Sequence, residues 1–180
     1  MKNLVFALAL MSTVTCTAFA QANSTISRVG DLQLGGGYTS ANSDYLSNRI
    51  KGYTFYGDFD FFHNLGIEVD FHDVSDSPTK IYERTYEVGV RYVRHYGRLG
   101  PYGKVLVGRA QFNYANDSAL LAYNMYALGG GLDYAVLPKV NVRADYEYQS
   151  WSGFKPNGLT PQLLTIGVAY HFPSGNLSAR

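Results

Sequence analysis

Residues 53–61 read YTFYGDFDF, with Tyr53, Phe55, Gly57, Phe59 and Phe61 at one parity and Thr54, Tyr56, Asp58 and Asp60 at the other. A side-chain period of two marks a β-strand whose two faces meet different surroundings. The alternation recurs along the chain and decides the fold class before any motif is weighed. Over 31–39 it sets Leu32, Leu34, Gly36 and Tyr38 against Asp31, Gln33, Gly35 and Gly37. Over 66–75 Ile67, Val69 and Phe71 face away from Glu68, Asp70 and His72, and over 82–94 Tyr86, Val88, Val90 and Tyr92 face away from Glu87, Gly89 and Arg91. Over 123–136 Leu128, Gly130, Leu132, Tyr134 and Val136 oppose Ala127, Gly129, Gly131 and Asp133. Over 140–150 Val140, Val142, Ala144, Tyr146 and Tyr148 oppose Asn141, Arg143, Asp145, Glu147 and Gln149. The strand over 50–61 and a last strand ending in TIGVAYHF, 165–172, follow the same rule. A fifth strand over 101–113 has no assignable faces, because Lys104 and Arg109 differ in parity and one of them must share the apolar side.

The connections alternate as well. Short turns fall at 62–65, 97–101 and 137–139, and longer polar stretches at 40–49, 76–81, 114–122 and 152–160. Eight strands with turns at one end and loops at the other predict an all-β, eight-stranded antiparallel up-and-down transmembrane barrel. An even strand number puts both ends of the barrel on the turn side, the periplasmic side of such a barrel. The strands match the roughly 9–11 residues that a tilted strand needs to cross hydrocarbon.

The first twenty residues stand apart. Lys2 precedes the apolar run LVFALALM, 4–11, and small residues follow to Ala18-Phe19-Ala20 and Ala22, which predicts a secretory signal peptide cleaved after Ala20 or Ala22. The run is too short for a spanning helix, which needs about 20 residues. A lipoprotein signal retaining Cys16 is the rival, but Thr13-Val14-Thr15 lacks the leucine such signals carry. Removing 1–20 takes away Lys2 and the only cysteine, leaving 14 basic and 14 acidic residues and no disulfide. A neutral chain has no nucleic-acid footprint. The expected organisation is therefore a signal peptide over 1–20, a periplasmic N-terminal segment over 21–30, a barrel over 31–172 and a periplasmic tail over 173–180.

Alternation alone does not say which face is outside. A soluble lipocalin-like carrier would put Phe55, Phe59, Val88 and Val90 around an internal cavity, and a membrane barrel would turn them to lipid. The polar face is rich in Gly and Ala as well as charge, which suits a narrow packed lumen. Tyr38, Tyr53, Tyr92, Tyr102, Tyr123, Tyr134, Tyr148 and Phe172 lie toward strand ends, where amphipathic rings favour a membrane interface. Closure of strand one on strand eight would pair every backbone group, as lipid demands.

Several fragments carry a resemblance. Tyr56-Gly57-Asp58-Phe59-Asp60 with Asn64-Leu65-Gly66-Ile67-Glu68 looks like a second hairpin, and Pro101-Tyr102-Gly103 with Leu106-Val107-Gly108 like a fifth strand. Gly129-Gly130-Gly131-Leu132-Asp133-Tyr134 and Val142-Arg143-Ala144-Asp145-Tyr146 look like a sixth and a seventh. In this order and spacing, over 30–172, the chain resembles the small outer-membrane β-barrel family of Gram-negative envelopes, the group of the OmpA transmembrane domain, OmpX and the opacity proteins. The resemblance implies that Thr165, Gly167, Tyr170 and Phe172 form the last-strand signal read by the outer-membrane assembly machinery. Family members commonly stop at that phenylalanine, whereas this chain continues to Arg180. Outer-membrane lipid, lipopolysaccharide and the assembly machinery are the implied partners, with a monomer expected and no cofactor.

In such a barrel Asp58, Asp60, Glu68, Asp70, Glu87, Arg91, Asp133, Arg143, Asp145 and Glu147 point inward, crowded toward the periplasmic half. An eight-stranded barrel is just wide enough for its side chains, so these residues are expected to form a structural polar network. A narrow cation-preferring pore is the alternative, since acids outnumber Arg91 and Arg143. The outer loops would carry any adhesin or receptor role, with Tyr45, Arg49, Tyr82, Asn116, Asp117, Trp151, Phe154 and Lys155 as candidate contacts. A lipid-modifying enzyme needs a nucleophile and base within reach. His72 with Ser75 and His171 with Ser174 are the nearest sets, neither on a clear ledge, so no enzyme is expected. His63, His72, His95 and His171 show no metal-ligand spacing.

Overall fold

A computed structural model describes residues 30–62, 64–115, 119–154 and 158–172. The expected signal peptide, the segment 21–29 and the tail 173–180 lie outside the described residues, as do His63, Asn116, Asp117, Lys155 and Ser174. Eight strands follow in order: β1 (Asp31–Asn42), β2 (Ile50–Asp60), β3 (Leu65–Asp76), β4 (Ile81–Val93), β5 (Leu99–Asn113), β6 (Leu120–Leu137), β7 (Val140–Ser152) and β8 (Gln162–Phe172). Each pairs antiparallel with the next, and β8 returns to β1 to close the barrel. The closing ladder runs from Leu32 opposite Phe172 to Asn42 opposite Gln162. Closure satisfies both edge strands, so no row of backbone donors and acceptors is left open.

Several strands run longer than the alternation suggests. β6 begins at Leu120 rather than 123, β1 continues to Asn42 and β7 to Ser152. Amphipathic patterning marks only the stretch in which the two faces differ, whereas the hydrogen-bond ladder keeps pairing beyond it, as Asn124 opposite Ser152 illustrates. At the turn end the chain reverses within a few residues, once through Gly97, whose φ of +62° is a left-handed conformation that glycine adopts without steric cost.

The apolar face is outside. Phe55, Phe59, Val88 and Val90, which a lipocalin-like barrel would bury, are 45–58 % exposed. Leu34, Ile67, Val69, Val105, Val107, Leu128, Ile166 and Val168 extend the same band around the barrel. A continuous belt of this kind is stable only against an apolar surrounding. The fifth strand is resolved: Tyr102, Lys104 and Leu106 point in, and Arg109 points out, where it donates to Asn124 Oδ1 at 2.5 Å. Two tyrosines expected at the interface do the opposite. Tyr102 and Tyr123 are buried inside, whereas Tyr38, Tyr53, Tyr92, Tyr134 and Tyr148 are exposed on the outer wall.

Candidate functional site

The interior is filled in layers, and glycines make the room. A Cβ on Gly35 would lie 2.4 Å from Tyr56 Cζ, and one on Gly131 would lie 2.9 Å from Tyr102 Cζ. These two rings therefore occupy hollows that only glycine leaves. They hold the guanidinium of Arg143 between them, at 4.1 Å from the Tyr56 centroid and 4.8 Å from that of Tyr102, with Arg91 at 4.3 Å from Tyr102. Such cation–π contacts matter most away from water. Gly35→Val is expected to push Tyr56 off Arg143 and to cost about 1–3 kcal/mol, as overpacking does. Urea titration in lipid vesicles would measure it. Gly57→Ala, on the outer wall against the movable Leu34 side chain, should stay within about 0.5 kcal/mol.

Next to the turn end, Arg143 reaches Asp133 through two nitrogens at 2.8 and 3.0 Å and also bonds Asp58. Arg91 sits 3.2 Å from Asp58 and 3.4 Å from Glu68, and pairs with Asp133. Asp60 borders this layer, 3.9 Å from Arg91. Above it Lys104 gathers four carboxylates: Asp70 at 2.6 Å, Glu68 at 2.9 Å, Glu147 at 3.0 Å and Asp145 at 3.1 Å. Tyr102 donates its hydroxyl to Asp145 at 2.5 Å. Every inward candidate is thus buried, and β5 contributes the cation at their centre.

Higher still, Gln149 donates to Glu87 at 2.8 Å and to Glu147 at 2.7 Å, and Trp151 Nε1 donates to Gln149 Oε1 at 2.9 Å. Thr165, Thr39 and Thr54 form a hydroxyl chain that ends on His72 Nδ1, 2.7 Å from Thr54 Oγ1. A cavity of about 10 Å3, room for roughly one water, separates these groups from Tyr56 and Arg143. Asp70, His72 and Glu147 also present donor atoms within 4.8 Å of one another, the one such grouping among the described residues.

The loop end of the lumen is apolar. Ile81, Leu106, Ala110, Phe112, Tyr123, Met125, Trp151, Phe154 and Leu159 form one buried cluster, and Ala41, Ile50, Val74 and Leu163 another. Two loop candidates are corrected here: Trp151 is 1 % exposed within β7 and Phe154 is 5 % exposed, so both are cap residues and not free contacts. Their rings pack on Phe112, with centroids 6.4 and 5.1 Å away. Tyr45 remains 45 % exposed on this platform, 5.0 Å from Phe112. Arg49 is exposed and donates to Ser40 Oγ at 2.9 Å. Tyr82 is the second residue of β4, half-buried with Arg84 over its ring at 5.2 Å.

On β8, Thr165 and Gly167 face the lumen, and Tyr170 and Phe172 lie outside with centroids 4.6 Å apart. His72 faces in and Ser75 faces out, which separates that pair across the wall. Lys104, Tyr56, Tyr102, Gln149 and His72 are the lumen members that the sequence did not single out as a group. The parity of β5 was the one available signal for Lys104, and it was masked by Leu106, Ala110 and Phe112 on the same inward face.

The outer membrane protein β-barrel domain model matches residues 6–172. No curated protein sequence matches the chain. Among solved structures, Neisserial surface protein A is similar at a TM-score of 0.64 and 17 % identity, covering 80 % of this chain and 97 % of that one. Ail, the attachment invasion locus protein of Yersinia pestis, is similar at 0.57 and 21 %, covering 79 % and 99 %. The outer membrane protein OprG of Pseudomonas aeruginosa is similar at 0.58 and 16 %, covering 79 % and 96 %. At these identities the likeness is one of fold. The family model, the closed eight-stranded topology and the apolar outer wall agree: the chain belongs to the outer membrane protein β-barrel domain family.

Proposed function

We propose that the chain is an integral outer-membrane barrel with a closed lumen, which anchors a surface-facing loop end and carries a structural or surface-interaction role. The filled interior is the observation that supports this most. Ion pairs occupy the periplasmic half, a gap among them holds roughly one water, and an apolar cap built on Trp151 and Phe112 lies above. Packing of this kind favours a closed lumen over an aqueous path for ions. Purified barrel in a planar bilayer is therefore expected to show no single-channel current. Steady cation-selective steps would overturn the closed lumen and favour the pore instead. Recovery in the outer-membrane fraction, with a gel shift between heated and unheated samples, tests the location, and a soluble periplasmic product would sink it.

With the lumen shut and the sides facing lipid and lipopolysaccharide, a partner can be met at the loops. Ail is the attachment invasion locus protein of Yersinia pestis, and in this chain the feature that favours a surface contact is Tyr45. An exposed aromatic on a packed platform loses little freedom on binding. Arg49 lies in the same loop, tied to the β1 rim. In a whole-cell adhesion assay Tyr45→Ala with Arg49→Ala should reduce binding, with barrel yield unchanged. Equal adhesion would leave a structural role. The β8 residues Thr165, Gly167, Tyr170 and Phe172 serve, on this reading, as the address for the assembly machinery, and the barrel acts as a monomer.

A further inference from the structure

Halfway along the lumen, His72 is held from one side only. Its Nδ1 is 2.7 Å from Thr54 Oγ1, at the end of the hydroxyl chain from Thr165 and Thr39. Its Nε2 is fully enclosed and has no hydrogen-bond partner among the described residues. The carboxylate oxygens it faces are Glu87 Oε1 at 3.7 Å and Glu147 Oε2 at 3.9 Å. Both are too far to accept a proton from Nε2. The tautomer that donates from Nδ1 therefore uses the ring better, and it leaves the Nε2 lone pair aimed at the acids.

Around that lone pair, Asp70 Oδ1 and Glu87 Oε2 are likewise buried without a hydrogen-bond donor, and Glu147 Oε2 has only the Lys104 ammonium, at 3.0 Å. Leaving such a group bare is costly, and here several converge. Charge is also unbalanced. Among the described residues Lys104 is the one permanent cation in contact with Asp70, Asp145 and Glu147, and none touches Glu87. Glu68, by contrast, shares Arg91 and Arg143.

We propose that Asp70, His72 and Glu147 hold one divalent transition-metal ion of the zinc class, with Glu87 beside it as a further oxygen donor. The spacing fits. Two ligands about 2.1 Å from a tetrahedral ion stand roughly 3.4 Å apart, and the 3.9 Å from Nε2 to Glu147 Oε2 lies between that value and the 4.8 Å limit of the whole set. One imidazole with carboxylates is a donor set for a borderline divalent ion. The Thr54 contact supplies the partner on the far ring nitrogen that metal-bound histidines regularly have. Gln149 does the same for the carboxylates, since it ties down Oε1 of Glu87 and of Glu147, leaving Glu87 Oε2 without a partner and Glu147 Oε2 shared with Lys104 alone. Histidine spacing could not reveal this site, because the ligands come from β3 and β7 and meet only across the closed lumen. Covered by Gln149 and Trp151, the ion is taken up as the barrel forms.

The test is to refold the urea-denatured mature chain into detergent with Zn2+ present, strip loosely held metal with a chelator, and measure metal per folded protein by elemental analysis. About one Zn2+ per barrel is expected, and His72→Gln should lower it about tenfold or more while keeping the gel shift of a folded barrel. Wild-type barrel that holds no zinc after stripping would overturn the site. Undiminished zinc in folded His72→Gln would also overturn it. Should His72→Gln fail to fold, refolding wild type with Co2+ decides: visible bands of a nitrogen- and oxygen-ligated ion are expected, and their absence rejects the proposal.

Discussion

Lys104→Met is expected to cost the barrel about 3–5 kcal/mol, the range for removing one partner from a buried charge cluster. The ammonium lies within 3.1 Å of Glu68, Asp70, Asp145 and Glu147, and methionine fills a similar volume while leaving those acids without their central cation. The loss reflects uncompensated carboxylates more than a lost attraction. For the same reason a second change should restore part of it. Lys104→Met with Asp70→Asn is expected to be more stable than the sum of the single changes by about 0.5–3 kcal/mol, the size of coupling seen between groups in contact. Urea titration in lipid vesicles, followed by the emission of the single tryptophan, measures both. A Lys104→Met barrel as stable as wild type would mean that the carboxylates are neutralised by something other than the lysine.

Trp151→Ala should be nearly as damaging, by about 3–5 kcal/mol, as large-to-small changes of buried aromatics are. Its ring is enclosed by the apolar cap, stacked near Tyr123 at 6.3 Å and edge-on to Phe112 at 6.4 Å. Its Nε1 also ties the cap to the polar network through Gln149. The variant loses the fluorescent probe, so circular dichroism and the mobility of unheated samples replace it. A change under about 1 kcal/mol would show that the loop end is loosely packed. The same placement makes Trp151 a poor contact for a partner, so Tyr45→Ala rather than Trp151→Ala is the substitution that should alter surface binding without altering stability.

The two predictions divide along what the sequence could and could not say. Inward placement of Asp58, Glu68, Asp133, Arg143 and Glu147 was legible in advance, because parity is a local property of a strand and one buried face preserves it over many residues. Strand five resisted the same treatment. Its inward face changes from Tyr102 and Lys104 near the turns to Leu106, Ala110 and Phe112 near the loops, so both parities carry apolar residues and the period is lost. Trp151 and Phe154 misled for a related reason: residues late in a strand or early in a loop look solvent-facing in sequence, and only the apolar cap shows that they turn inward.

What the sequence determined by itself is the period, the number of strands and the alternation of turns with loops, all of which follow from neighbours within about 10 residues of one another. What only the tertiary structure decided is who meets whom across the lumen. Arg143 bonds Asp58 across a separation of 85 residues, and Thr39 bonds Thr165 across 126. Those meetings depend on how far each ladder is staggered when β8 closes on β1, since the stagger sets which inward residues share a level. Closure is a property of the whole sheet, and no single strand records it.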